Sequence, residues 1–213
     1  MDLTPRPVFE NPVTGERVVV LTDARKHPEQ VLVSHLFIRP GGRVAAAHVH
    51  PTVDERFLVL SGEVGFLIGG RKRTLGAGEG ASVPARVVHD WWQVGDDEAQ
   101  VLVEVVPGVR FAEMVGSMFG LARDGKVNAK GLPDALQLAV MADEYGDVIR
   151  FTKPPAVVQR LTIPPMAALG RRRGRKPMYP EYLEAGPTAA PDPAALAHLT
   201  PDGRLRPLET DAA

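Results

Sequence analysis

The chain of 213 residues contains no cysteine, so neither a disulfide framework nor a thiolate metal site is open to it. That absence fits a reducing compartment. Also missing is a surplus of one charge: 25 Lys+Arg stand against 26 Asp+Glu, for a formal net charge of −1. Neutralising phosphates needs a clustered positive excess, so nucleic acid is not an expected partner. No run of about 18 uncharged apolar residues occurs, which leaves no candidate transmembrane segment. The N-terminal stretch MDLTPRPVFENPVTG lacks the apolar core of a signal peptide. Neither P-loop, nucleophile elbow, dinucleotide fingerprint nor HExxH pattern is found. The expectation from these absences is a soluble cytoplasmic protein.

What is present is unevenly placed. Ten of the 21 glycines crowd between Gly41 and Gly95, and the 20 prolines crowd toward the two ends. Between Gly15 and Pro107, short β-branched runs alternate with glycine turns. The runs cover residues 17–22, 31–38, 43–50, 55–60, 64–68, 71–75, 81–83, 87–93 and 100–106. Turns such as Ser61-Gly62 and Gly69-Gly70 supply the positive φ of tight hairpins. Some nine evenly spaced strands read as a mainly β sandwich or barrel.

After Pro107 the period changes. Phe111, Met114, Val115, Met118 and Phe119 form one apolar stripe of an amphipathic helix. A second helix is predicted from Pro133, in its first turn, to about Tyr145, burying Leu136, Ala139 and Val140. A third is predicted from Pro154-Pro155 and broken at Pro164-Pro165. The chain thus divides into an N-terminal arm (1–14), a β-barrel (15–107), a helical extension (108–170) and a tail (171–213). The extension packs on the barrel or forms a subunit contact. The tail is basic and then Pro/Ala-rich, too poor in apolar surface to order fully, and is expected to be irregular, disordered or draped over the surface. Its run Arg171, Arg172, Arg173, Arg175, Lys176 is either a solvated helix end or a contact for anionic lipid, nucleic acid or acidic protein.

Chemistry concentrates in two segments. In the first, Gly42-x5-His48-x-His50-x4-Glu55-x6-Gly62, the two histidines lie at i and i+2 of a strand. They share a face, with Cα atoms roughly 6.5 Å apart. A turn at 51–54 brings Glu55 to the start of the next strand. Two imidazoles and a carboxylate suit Fe(II), Mn(II) or a similar divalent ion. In the second, Gly78-x5-Pro84-x4-His89-x3-Gln93, His89, Trp91 and Gln93 alternate on one strand face, and His89 is the candidate fourth ligand.

These segments resemble the two motifs of the cupin superfamily, G-x5-H-x-H-x3,4-E-x6-G and G-x5-P-x-G-x2-H-x3-N. The first matches throughout. The second matches at Gly78, Pro84 and His89, with Arg86 in place of glycine and Gln93 in place of asparagine. If that glycine serves a positive φ, arginine calls for a different turn. The resemblance, which covers residues 15–107 and is to small single-domain bacterial cupins, implies a double-stranded β-helix, a jelly-roll-like barrel. It implies one divalent metal ion (Fe, Mn, Ni, Co or Zn) on His48, His50, Glu55 and His89, and a homodimer.

Phe57 and Val59 share the parity of Glu55, and Trp91 that of His89, so they line a small-ligand cavity or fill the barrel core. Gln93 orients the ligands or sits as a solvent-facing amide. His35 is read as structural, and Trp92, on the opposite strand face, as packed against helices or a partner. The leading functional expectation is a metal-dependent enzyme, dioxygenase-like or an isomerase, lyase or cyclase, acting on a small, partly apolar organic molecule. Glu55 would act as base if it left the metal. The alternatives are a non-catalytic ligand-binding or sensor cupin, and a barrel scaffold with a helical dimerisation unit.

Overall fold

The computed structural model describes residues 2–42, 45–184 and 186–207. Its first half is β: β1 (Arg6–Asn11), β2 (Glu16–Thr22), β3 (Leu32–Ile38), β4 (Ala45–Val49), β5 (Asp54–Ser61), β6 (Glu63–Ile68), β7 (Arg71–Leu75), β8 (Gly80–Val83), β9 (His89–Val94) and β10 (Ala99–Val106). There follow α1 (Val109–Arg123), α2 (Ala135–Glu144), β11 (Arg150–Phe151), α3 (Ala156–Arg172), α4 (Pro180–Glu184), β12 (Thr188–Ala189) and α5 (Pro193–Ala197). Part of the predicted strand at 43–50, Arg43 and Val44, lies outside the described residues.

Two antiparallel sheets face each other, in the orders β12-β1-β2-β3-β10-β5-β8 and β11-β4-β9-β6-β7. The alternation in β10 explains the packing. Val101, Val103 and Val105 join Phe57, Val64, Phe66 and Trp91 in the core between the sheets. Leu102 points the other way, into a second cluster with Val33 and Leu58. That outer face is covered by the end of the chain, where Ala195 and Leu205 are buried. A strand buried on both faces reads as a continuous apolar run, and AQVLVEVV does so. The β5–β6 hairpin turns at Gly62, with φ 73°, where a Cβ would come within 2.8 Å of the Ala99 Cα.

Several details differ from the sequence expectations. Residues 6–11 of the arm form a strand, β1, hydrogen-bonded to β2 on one side and to the distant β12 on the other. Helix α2 starts after its cap, Asp134, whose carboxylate accepts from the Leu136 and Gln137 N–H groups, so Pro133 lies outside it. Ala139 and Val140 are buried, but Leu136 only partly. Helix α3 runs straight through Pro164 and Pro165. The two missing N–H groups free the carbonyls one turn back, on Arg160 and Leu161, and both residues are exposed, so water can solvate them. Trp92 packs over Gly65, where a Cβ would lie 2.5 Å from its ring, with the Lys72 ammonium 5.3 Å from the ring centroid. It faces β6 and β7 rather than helices.

Candidate metal centre

The pairing of β4 with β9 sets His48 opposite His89, and β11 sets Phe151 on the other side of His48. Just past β4, His50 turns into the same space, while Glu55 enters from the facing sheet between Val83 and Val105. The four side chains offer ligand atoms that all lie within 4.8 Å of one another. The distances are 3.0 Å for His48 Nε2 to His50 Nε2, 2.9 Å for His89 Nε2 to Glu55 Oε2, and 3.3 Å for His50 Nε2 to Glu55 Oε2. None of the four residues is more than 4% exposed.

Proton accounting shows what this cluster lacks. Each imidazole sets Nδ1 against a backbone carbonyl: His48 against Ala46 at 2.8 Å, His50 against Val148 at 2.6 Å and His89 against Val87 at 3.1 Å. A carbonyl only accepts, so each Nδ1 carries hydrogen and each neutral ring points an Nε2 lone pair inward. Three lone pairs and a carboxylate oxygen then converge in a dry space. His89 Nε2 and Glu55 Oε2, although close, are not aligned as a hydrogen bond and are buried without a partner. Such a donor set fits a divalent cation, and a buried polar atom left unsatisfied is otherwise costly.

Electrostatics agrees at His48 and Glu55. Burial, with His89 and His50 alongside, pushes the His48 pKa down to about 4, so that ring is a neutral donor. Burial also lowers His50, but its contact with Glu55 outweighs burial and the net shift is upward. Burial raises Glu55, yet His50 and His89 hold its carboxyl far below the usual carboxylate range. The carboxylate is therefore charged, and it stands beside a neutral His48 ring.

The other residues expected at the site are placed as follows. Phe57 and Val59 are fully buried and Trp91 nearly so, in one inter-sheet core. Phe57 meets Trp91 edge-to-face at 5.3 Å, and Phe66 stacks on Trp91 at 5.9 Å. The Gln93 amide is occupied by loops: its Oε1 accepts from Gly41 N at 2.7 Å, and its Nε2 donates to the Val94, Gly95 and Asp97 carbonyls. It clips two loops together, and none of those bonds reaches the histidines. His35 bonds Gln100 on the adjacent strand at 3.1 Å, a structural role. Arg86 does not take a different turn. It adopts φ 69° itself, and its N–H donates to the His50 carbonyl at 2.7 Å.

Sequence reasoning missed the cover. The segment after α2 crosses the site, with the Val148 carbonyl fixing His50 and Thr152 bonded through N and Oγ1 to the Ala47 carbonyl. The Phe111 ring lies 5.8 Å from that of His50, and Phe151 lies 6.1 Å from that of His48. A backbone carbonyl has no sequence signature, so Val148 offered none. Phe111 was legible only as part of a helical stripe.

Residues 34–105, about a third of the chain, match the family model described as Cupin domain. The two sheets with this site between them are a double-stranded β-helix. A search of curated proteins returns no significant match. Among solved structures, the chain is similar to a putative sugar phosphate isomerase from Acidithiobacillus ferrooxidans. That pair shares 21% identity over 45% of this chain and 61% of the other, with a TM-score of 0.40. It is also similar to KdgF from Halomonas sp. (17%, 46% of this chain and 84% of that one, TM-score 0.41). A predicted oxalate decarboxylase from Thermotoga maritima is a third (19%, 49% and 93%, TM-score 0.43). This chain thus spans less than two thirds of the first of these relatives.

Proposed function

Proceeding from a cupin domain at residues 34–105, we propose that the protein is a divalent-metal-dependent enzyme acting on a small, partly apolar organic molecule. One observation carries the proposal: three Nε2 lone pairs, each fixed by a carbonyl at Nδ1, converge with the Glu55 carboxylate in a dry space. An ion held there supplies Lewis-acid polarisation of a substrate oxygen, with dioxygenase-like chemistry for iron and isomerase, lyase or cyclase chemistry for manganese, nickel, cobalt or zinc. The chain's own contribution is orientation and dryness. Carbonyls lock the three rings, Phe57, Val59 and Trp91 present apolar surface beneath them, and Phe111 and Phe151 exclude water beside them. Glu55 would serve as the base, taking a proton at Oε2. Gln93 acts in this scheme only by holding the loops. A homodimer and a cytoplasmic location belong to the same proposal.

A second reading has its own support. All four donor residues are buried, and the 147–151 segment lies against His50 and His48, as in a structural or ligand-anchoring metal site of a non-catalytic binding protein. Elemental analysis of protein purified without chelator, followed by oxygen uptake with small phenols and keto acids, separates these readings. Iron with substrate-dependent oxygen consumption supports the dioxygenase form. Zinc or nickel without it supports the other reactions. A metal inert to exchange and without turnover supports the binder, and protein that retains no added divalent ion sinks both.

A further inference from the structure

Most of the surface is mixed in charge, but one segment is not. Between Asp147 and Glu181 there are eight basic residues and no acidic one, which leaves the rest of the chain at −9 against an overall −1. Five of the nine exposed large apolar side chains among the described residues fall in the same segment: Phe151, Val157, Val158, Leu161 and Leu169. Leu161 is 72% exposed and Val157 63%.

Helix α3 explains the arrangement. One side docks on α2 through Ala167 and Gly170, where a Cβ on Gly170 would lie 2.7 Å from Val140. Arg171 pairs with Asp143 at 2.6 Å and Arg175 with Asp134 at 2.8 Å, which fixes the helix in place. The outer side carries Val157, Leu161, Pro165 and Leu169 at intervals of four, a stripe about 18 Å long. Lys153, Arg160, Arg172, Arg173 and Lys176 lie along and beyond that stripe, with no ion pair among the described residues. A helix apolar on both sides is normally covered.

We propose that this face docks on the surface of an anionic lipid bilayer. Charge complementarity and the lack of directional groups favour that occupant. The polar side chains on the exposed half of α3 are turned onto the backbone: Gln159 donates to the Phe151 and Pro154 carbonyls, and Thr162 to the Val158 carbonyl. What remains is aliphatic contact flanked by positive charge, the recognition a fluid interface uses. A second copy fits poorly. Two α3 helices paired antiparallel about their centre set Arg173 against Lys153, and a parallel pair sets the arginine runs against each other. Nucleic acid would desolvate five apolar side chains against phosphates without return. At 17 residues with two internal prolines, α3 lies on the bilayer rather than across it. The acidic remainder of the chain is repelled by the same surface, which fixes one orientation.

Co-sedimentation of the full chain with vesicles tests this, comparing phosphatidylcholine alone with phosphatidylcholine plus phosphatidylglycerol. Binding should require the anionic lipid and weaken as salt rises. Arg172→Gln with Arg173→Gln should lower the partition coefficient roughly thirtyfold. Val157→Gln with Leu161→Gln should weaken binding that persists at high salt. These positions are exposed, so melting temperature and metal content should stay unchanged in both pairs. Absence of binding, or equal binding to neutral vesicles, overturns the proposal. So does a concentration-dependent dimer in sedimentation velocity that the Val157/Leu161 pair abolishes, which assigns the face to a second copy. Tighter retention on a DNA duplex or on polyglutamate than on the vesicles overturns it in favour of those partners.

Discussion

Glu55 and Glu104 lie on neighbouring strands, β5 and β10, one residue out of register and on opposite faces of the same sheet. Both are buried carboxylates. Glu104 faces outward and meets permanent cations: Arg56 Nη1 at 3.3 Å and Arg204 Nη2 at 3.4 Å, with the Leu205 N–H donating at 2.6 Å. Its charge is balanced within the protein and it ties the end of the chain to the barrel. Glu55 faces inward and meets imidazoles with inward lone pairs, so its balance is incomplete without a cation. Glu16 is a third case, 3% exposed, with a bond from Thr14 Oγ1 at 2.9 Å to one oxygen and none to the other. Burial there outweighs the Thr14 bond and raises its pKa to about 7. The same side chain is thus a candidate ligand, a strut or a near-neutral acid according to what faces it.

The largest effect expected is at the histidines that face the inward carboxylate. His48→Ala combined with His89→Ala should take bound divalent metal from about one ion per chain to almost none, as read by elemental analysis. Unchanged metal content would reject the site and erase the contrast between the two faces. Glu104→Ala should leave metal content untouched but destabilise the fold by about 2 kcal/mol in urea titration. That is less than the ~3–5 kcal/mol of a fully buried pair, because both arginines are partly exposed.

Glu16 sharpens the comparison through pH. Its folded pKa is raised, so stability is fully present below the unfolded value near 4.5 and is lost as pH rises toward about 7. Glu16→Gln should be neutral near the low end of that window and stabilising above the high end by roughly 1–3 kcal/mol. Equal effects at both ends would mean that the carboxylate finds a counter-charge. The smallest effect is at Arg86, whose left-handed backbone bears on His50. Arg86→Gly should raise stability by up to about 1 kcal/mol and leave metal content unchanged.

Much of this was legible in the sequence, for identifiable reasons. A period of two between glycine turns marks strands whatever they pack against, and the His48, His50, Glu55 and His89 spacings place four donors on inward faces. Parity also placed Phe57, Val59, Trp91 and Gln93 inward. It could not say that the Gln93 amide would be taken up by the carbonyls of its own loop. β1 was missed although it pairs with its neighbour β2, because the prolines at 5, 7 and 12 make RPVFEN read as an arm rather than a strand. The break predicted at Pro164-Pro165 failed because exposure relieves the cost of unpaired carbonyls, and exposure is not a local property.

The amino-acid order alone determined which atoms could become ligands and on which strand faces they stand, because side-chain direction alternates along any strand. Folding in three dimensions decided the rest. It set which partner each buried carboxylate meets, that the Val148 carbonyl fixes the His50 ring, and which side of α3 is left bare. Those depend on segments far apart in the chain meeting in a space where water no longer screens charge.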